Sequence, residues 1–166
     1  EPSAILTLRD EYIDLVKDSN NAKQLAKNTF TLEEFLAREI DAGKIRSEAF
    51  TDKAQHIRLH GHCYQKALSS LTPSKIVLGL PKNYKVQLIP SGCCGMAGSF
   101  GYEKEHYEVS MKMGELVLFP TIRKETTDTL IAAAGTSCRH QIKDGTQRNA
   151  LHPIEILYNA LNNGTE

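Results

Sequence analysis

Four residues carry most of the chemistry open to this sequence: Cys63, Cys93, Cys94 and Cys138. Cys93 and Cys94 are adjacent and flanked by Gly92 and Gly95. Neighbouring cysteines bond to each other only with strain, and four in 166 residues are too few to staple a secreted scaffold. The pattern reads as a metal or redox site in a reducing compartment, hence a cytoplasmic protein. Thiolates are soft ligands that suit zinc and iron–sulfur clusters. Adjacent cysteines reach a single ion poorly, because their Cβ atoms diverge along an extended backbone, whereas a cluster offers each a different iron. Gly92, Gly95, Gly98 and Gly101 surround the pair and let backbone approach a bulky group or take up positive φ.

Other readings of the same residues stand beside this one. A single cysteine is commonly a small buried hydrophobe. Cys93 and Cys94 could form a redox-active disulfide, making the chain a thiol–disulfide module. Cys138 with His140 suggests a nucleophile and its base, but residues two apart on a helix face different ways. His60 and His62, at alternate positions, would share a strand face, with His60 placed to support the sulfurs or to serve a structural role. His152, before Pro153, caps the last helix. Gly95, Gly98 and Gly101 lack the Lys-Ser/Thr ending of a phosphate loop. Met111, Met113 and Leu116 read as core.

Elements must bring these thiols together. The first fifty residues read as helical: Leu6, Leu8, Tyr12, Ile13, Leu15 and Val16 form one stripe, ending near Asp18-Ser19-Asn20. Thr31 and Glu34 form a capping box, Leu32, Phe35, Leu36 and Ile40 share the next face, and Gly43 stops that helix. From Gln55 the pattern alternates. Strands are predicted at 55–60, 85–89 and 129–134. Helices are predicted at 63–70, from Thr72, over His106–Val117 with a break imposed by Pro120, at 138–143, and from Pro153. Strands separated by helices favour a mostly parallel α/β sheet with crossover helices on both faces, preceded by N-terminal helices. Residues 1–50 are thus expected to pack on a cysteine-rich α/β domain of residues 51–166. Each cysteine position follows a predicted strand, and in parallel sheets sites collect at the carboxyl ends of strands.

Composition removes several classes. Lys plus Arg equals Asp plus Glu at 20 each, with no basic excess for nucleic acid. No apolar run approaches the roughly 20 residues of a membrane span. The opening Glu1-Pro2-Ser3-Ala4 shows no signal-peptide pattern and reads as a segment of a longer protein.

His60-Gly-His-Cys63, Gly92-Cys-Cys-Gly-Met-Ala-Gly-Ser-Phe-Gly101, Thr136-Ser-Cys138-Arg-His-Gln and His152-Pro-Ile-Glu-Ile-Leu157 together resemble the cysteine-rich CCG domain. That domain occurs in heterodisulfide reductase, in the iron–sulfur component of glycolate oxidase and at the C-terminus of FAD-linked D-2-hydroxyacid dehydrogenases of the D-lactate or D-2-hydroxyglutarate type. The resemblance covers residues 1–161 and is to the second of two copies, with Ala4 where a cysteine commonly closes the first. Heterodisulfide-reductase-like members end the motif with Cys-x-x-Cys, where this chain has Cys138-Arg-His-Gln141. The resemblance therefore implies a four-ligand [4Fe–4S] cluster on Cys63, Cys93, Cys94 and Cys138, with zinc as the alternative metal. Gly95 and Gly98 would shape the pocket and His60 would stand behind the sulfurs. It further implies an electron-transfer module that serves an FAD-binding domain or subunit outside this chain and passes electrons to an acceptor. The parent enzyme could associate peripherally with a membrane. The rival from another class is a zinc-stabilised or metal-free docking domain.

Overall fold

The computed structural model describes residues 1–162. The N-terminal third is helical but broken. Helix α1 (Pro2–Ile5) runs into a 3-10 turn at Leu6–Arg9, followed by α2 (Glu11–Leu15), α3 (Ser19–Lys27) and α4 (Leu32–Asp41). The single stripe predicted from Leu6 to Val16 is interrupted at Asp10, whose backbone leaves the helical region (φ −123°, ψ −92°). Leu6 is fully buried, whereas Leu15 is largely exposed. Arg9 is drawn away by tertiary partners: its guanidinium donates to the Thr29 carbonyl and to both Glu34 oxygens.

The capping box forms as its residue types require. Thr31 Oγ1 accepts from the Glu34 amide at 3.2 Å, and Glu34 Oε2 accepts from the Thr31 amide at 2.8 Å. The buried face of α4 is rotated from the predicted one. Leu32 and Phe35 are half exposed, while Glu33 and Ala37 are buried and Leu36 and Ile40 pack with them. Positions 33, 36, 37 and 40 form an equally good helical stripe, and packing against neighbouring helices selects it.

The remainder alternates. In chain order it comprises β1 (Gln55–His60), α5 (Cys63–Leu68), α6 (Thr72–Leu78), β2 (Tyr84–Leu88), α7 (Tyr107–Leu116), α8 (Leu118–Arg123), β3 (Leu130–Ala133), α9 (Thr136–Thr146), β4 (Ala150–Leu151) and α10 (Pro153–Asn159). The four strands form one parallel sheet in the order β2-β1-β3-β4. The three predicted strands are present. β4 is an addition; two residues are too few to leave an alternation, and pairing with β3 is what defines it.

Register assigns the two faces. Arg58 pairs with Ile131 and His60 with Ala133, so these point to one side. There Ile89, Ile131 and Ala133 pack with Leu118, Phe119, Ile122, Cys138 and Ile142 of α8 and α9. Ile57, Leu59 and Ala132 point to the other side and pack with Leu78 of α6 and Ile156 of α10. Both faces are covered, as near-continuous apolar strands of a parallel sheet demand.

The α7–α8 break falls at Val117, leaving Pro120 in the first turn of α8, where its missing N–H costs little. The face of α7 differs from the prediction. Ser110 and Gly114 are its buried positions, whereas Val109, Met113 and Leu116 are exposed, so Met113 and Leu116 are not core. The Phe119 ring explains the choice: a Cβ on Gly114 would lie 2.3 Å from it, and one on Gly145 of α9 also 2.3 Å. Only the small-residue face of α7 admits that ring. Helix α9 is longer than the 138–143 segment expected from sequence, beginning at Thr136, separated from the end of β3 by Ala134 and Gly135, and running on to Thr146.

Candidate functional site

Three strand exits build the site. β1 ends at His60, and after Gly61 the His62 side chain caps α5 by accepting the Tyr64 amide through Nδ1 at 3.2 Å. This makes Cys63 the first residue of α5. His62 lies beyond the strand, so the two histidines do not share a strand face as predicted. β2 leads through Ile89, whose amide donates to the Leu59 carbonyl at 2.9 Å, into the loop carrying Cys93 and Cys94. β3 leads through Gly135 into α9, of which Cys138 is the third residue. All three exits lie at the carboxyl edge of one parallel sheet, where neighbouring loops meet.

The thiols converge. Cys63 hydrogen-bonds to Cys93, Cys93 to Cys94, and Cys94 to Cys138. All four are free cysteines; Cys63 is exposed, Cys93 half-buried, and Cys94 and Cys138 buried. The sulfurs of Cys94 and Cys138 and a ring nitrogen of His60 lie within 4.8 Å of one another, a grouping that could hold a metal ion. A cavity of about 330 Å³ opens over the thiols, lined by all four cysteines together with Ala97, Gly98, His62 and Ser137, and roofed by Ser3, Thr7 and Glu11 of the N-terminal helices with Tyr64. Glu11 and Tyr64 hydrogen-bond to each other at that roof.

Backbone conformation in the cysteine loop depends on glycine at two places. Gly95 has φ +107°, and a Cβ there would lie 2.2 Å from the Ser110 carbonyl oxygen of α7. Gly98 has φ +70° and lines the cavity with open space around it. Gly95 therefore lets the loop lie against α7, and Gly98 leaves the cavity wall clear. The turn also directs amides at sulfur: the Gly95 amide donates to Cys93 Sγ at 3.3 Å.

The thiols perturb one another in alternate directions. Hydrogen bonds from Cys63 and then Cys94 hold the Cys93 thiol far below its ordinary value, with the Gly95 and Ala97 amides adding to the effect. Cys138 is held at about 5 by the hydrogen bond from Cys94, against the opposing effect of burial, with His60 adding to the lowering. Cys63 is pushed up chiefly by donating to Cys93, and Cys94 by donating to Cys138 and Cys93. The series thus lowers Cys93 and Cys138 and raises Cys63 and Cys94, and a lowered thiol gives up its proton to a metal more readily.

His60 is 1% exposed. Its Nδ1 bonds Ser91 Oγ at 2.8 Å, which leaves Nε2, buried, facing the Cys138 thiol. Four soft donors, a cavity above them and a buried ring nitrogen beside two of the sulfurs fit a thiolate-bound metal centre. His152 caps α10, accepting the Ile154 amide at 3.2 Å, in a capping box with Glu155. His140 is exposed and bonds the Tyr102 hydroxyl at 2.7 Å.

Several supporting residues carry no sequence motif of their own. Gln141 is buried, and its amide donates to the Cys94 carbonyl and the Ser110 carbonyl at 3.1 Å each, joining α9, the cysteine loop and α7. Arg139 donates to the Ala133 and Ala134 carbonyls at the exit of β3. Lys66 donates to the Ser91 and Gly92 carbonyls. Gly135 is needed because a Cβ there would lie 2.4 Å from the His62 ring and 3.2 Å from Cys138 Sγ. The available signal was spacing: Lys66 and Gln141 each lie three residues after a cysteine on the same helix, hence on its side.

These features define a parallel α/β protein with four cysteines and a buried histidine gathered at the carboxyl edge of its sheet. Among curated proteins, the chain is 28% identical over 155 residues to one subunit of the anaerobic glycerol-3-phosphate dehydrogenase of Escherichia coli. It is 25% identical over 158 residues to the D-2-hydroxyglutarate dehydrogenase of Pantoea ananatis. It is 31% identical over 101 residues to the D-2-hydroxyglutarate dehydrogenase of Pseudomonas putida. These matches involve 93%, 95% and 60% of this chain, but only 37%, 15% and 10% of the respective relatives. The similarity is thus to parts of oxidoreductases. No protein-family model matches, and no solved structure matches. Among the described residues, no helix is long and apolar enough to cross a membrane.

Proposed function

We propose that this chain is the iron–sulfur electron-transfer module of an FAD-linked dehydrogenase acting on a 2-hydroxyacid or a related hydroxylated substrate. The observation that carries the reading is the contact series Cys63, Cys93, Cys94, Cys138 beneath a cavity at one sheet edge. The names of the relatives, a subunit of one dehydrogenase and parts of others, support the oxidoreductase setting. Cys63, Cys93, Cys94 and Cys138 would hold a [4Fe–4S] cluster, which supplies one-electron transfer when bound. The flavin, the substrate site and the final electron acceptor would belong to partner domains or subunits.

The chain's own residues do the remaining work. The Gly95 amide and the turn around Gly98 present N–H groups and open space on the cavity side. Hydrogen bonds to ligand sulfur raise a centre's potential by stabilising its more negative form. His60, oriented by Ser91, turns Nε2 toward the buried sulfurs and stabilises negative charge there. Ser3, Thr7, Glu11 and Tyr64 limit water above the site.

Anaerobic expression followed by iron, acid-labile sulfide and zinc analysis tests this reading. It requires several irons with matching sulfide per chain and visible absorption that bleaches on reduction. Iron-free protein from anaerobic cells, which also fails reconstitution with iron and sulfide, would refute it.

One observation favours a second reading. His60, Cys94 and Cys138 lie close enough to share a single ion, and Zn²⁺ takes mixed sulfur and nitrogen ligands at about 2.0–2.3 Å. A colourless protein with one zinc per chain would identify the site as structural.

A further inference from the structure

Lys66 lies one turn after Cys63 on α5, so its stem runs on the same side of that helix. Its ammonium donates to the Ser91 carbonyl at 2.8 Å and to the Gly92 carbonyl at 2.7 Å. These two carbonyls immediately precede Cys93. One side chain therefore ties the helix that begins with Cys63 to the loop that carries Cys93 and Cys94. Lys66 pairs with no carboxylate among the described residues. Its ordered bonds are to the loop backbone, although the residue is exposed and a long lysine loses rotamer freedom when held. Two convergent acceptors for one cation offset that loss, because hydrogen bonds to a charged donor are stronger than neutral ones.

We propose that Lys66 is the positioning residue of the thiol site. It sets the separation of the Cys63 helix from the Cys93–Cys94 loop, and its charge raises the reduction potential of the metal centre held there. The second half rests on the iron–sulfur reading above; the first does not. The Gly92 carbonyl that holds the ammonium directly precedes Cys93, so a positive charge sits on the backbone leading to the thiols and favours the more negative, reduced state of whatever they bind. Because the ammonium is at the surface, salt screens its effect.

The experiment compares wild type with Lys66→Met, which keeps the stem and loses the charge and donors, and with Lys66→Arg, which keeps both. Lys66→Gln provides a second neutral variant in case the first fails to fold. In metal-free protein, amide hydrogen exchange over residues 91–95 is expected to accelerate at least several-fold in the neutral variants and to stay near wild type in Lys66→Arg. In iron-loaded protein, potentiometric titration is expected to move to more negative potential in the neutral variants, by an amount that shrinks as salt is raised. Lys66→Arg is expected to remain near wild type. Unchanged exchange in a folded neutral variant overturns the clamp. An unchanged potential, or a shift insensitive to salt and equally present in Lys66→Arg, overturns the electrostatic part. Wild-type protein that takes up no iron refutes the iron–sulfur reading instead, and the exchange measurement then decides the clamp alone.

Discussion

Two glycines of the cysteine loop should respond very differently to the same added methyl group. At Gly98, φ is +70° and nothing lies within 4 Å of an ideal Cβ position, so alanine bears only the cost of the left-handed backbone. That cost is about 1–2 kcal/mol, partly offset by about 0.4–1 kcal/mol from the stiffer unfolded chain. The net loss for Gly98→Ala is about 1 kcal/mol. At Gly95, φ is +107°, and the Cβ would lie 2.2 Å from the Ser110 carbonyl oxygen, 3.0 Å from its carbon and 2.8 Å from Gln141 Nε2. A backbone held in so unfavourable a region costs about 1–3 kcal/mol. The carbonyl belongs to α7 and cannot rotate aside, so the loop must lift. Lifting breaks the Gln141 bond to the Cys94 carbonyl, worth about 0.5–1.5 kcal/mol. Gly95→Ala should therefore cost about 2–4 kcal/mol and displace Cys94 from Cys138. Urea unfolding of the metal-free proteins, with alkylation of thiols under native conditions, measures both effects. Equal destabilisation by the two substitutions, or a Gly95→Ala protein within about 1 kcal/mol of wild type, would refute the reasoning.

Other perturbations separate the roles of individual residues. Cys63→Ala should leave metal-free stability within about 0.5 kcal/mol, since the side chain is exposed, yet abolish metal retention. Cys138→Ala, in the core with Ile131 and Ile142, should cost about 1 kcal/mol or more in the same unfolding assay. His60→Phe should cost about 1–3 kcal/mol by leaving buried Ser91 Oγ without its partner; restoring stability by also changing Ser91 to Ala would support that cause. Glu34 titrates low: burial opposes its ionisation, but hydrogen bonds from Arg9, Ser69 and Thr31 outweigh it. A carboxyl depressed on folding stabilises above its unfolded pKa of about 4.3 and loses that contribution as pH falls. Acid unfolding curves should therefore show wild type losing stability below about pH 4, with Glu34→Gln less stable at neutral pH and flatter in that limb.

Much of the architecture was legible because it is local. Alternation over Gln55–His60 and the apolar run ending at Ala134 specify strands, and Thr31 with Glu34 specifies a helix start, through contacts spanning a few residues. The position of each cysteine just after a strand, combined with the preference for parallel pairing, was enough to bring Cys63, Cys93, Cys94 and Cys138 to one edge. Tertiary structure decided which way each helix turned. The stripe 33-36-37-40 prevailed over 32-35-36-40 because of what α4 meets, and α7 turns Gly114 inward because the Phe119 ring leaves room for nothing larger, with Ser110 against the cysteine loop and Gln141. The same holds for Lys66 and Gln141, whose partners are backbone carbonyls 26 and 47 residues away. A residue type announces what it can bond, but only the folded chain determines which distant carbonyl is within reach.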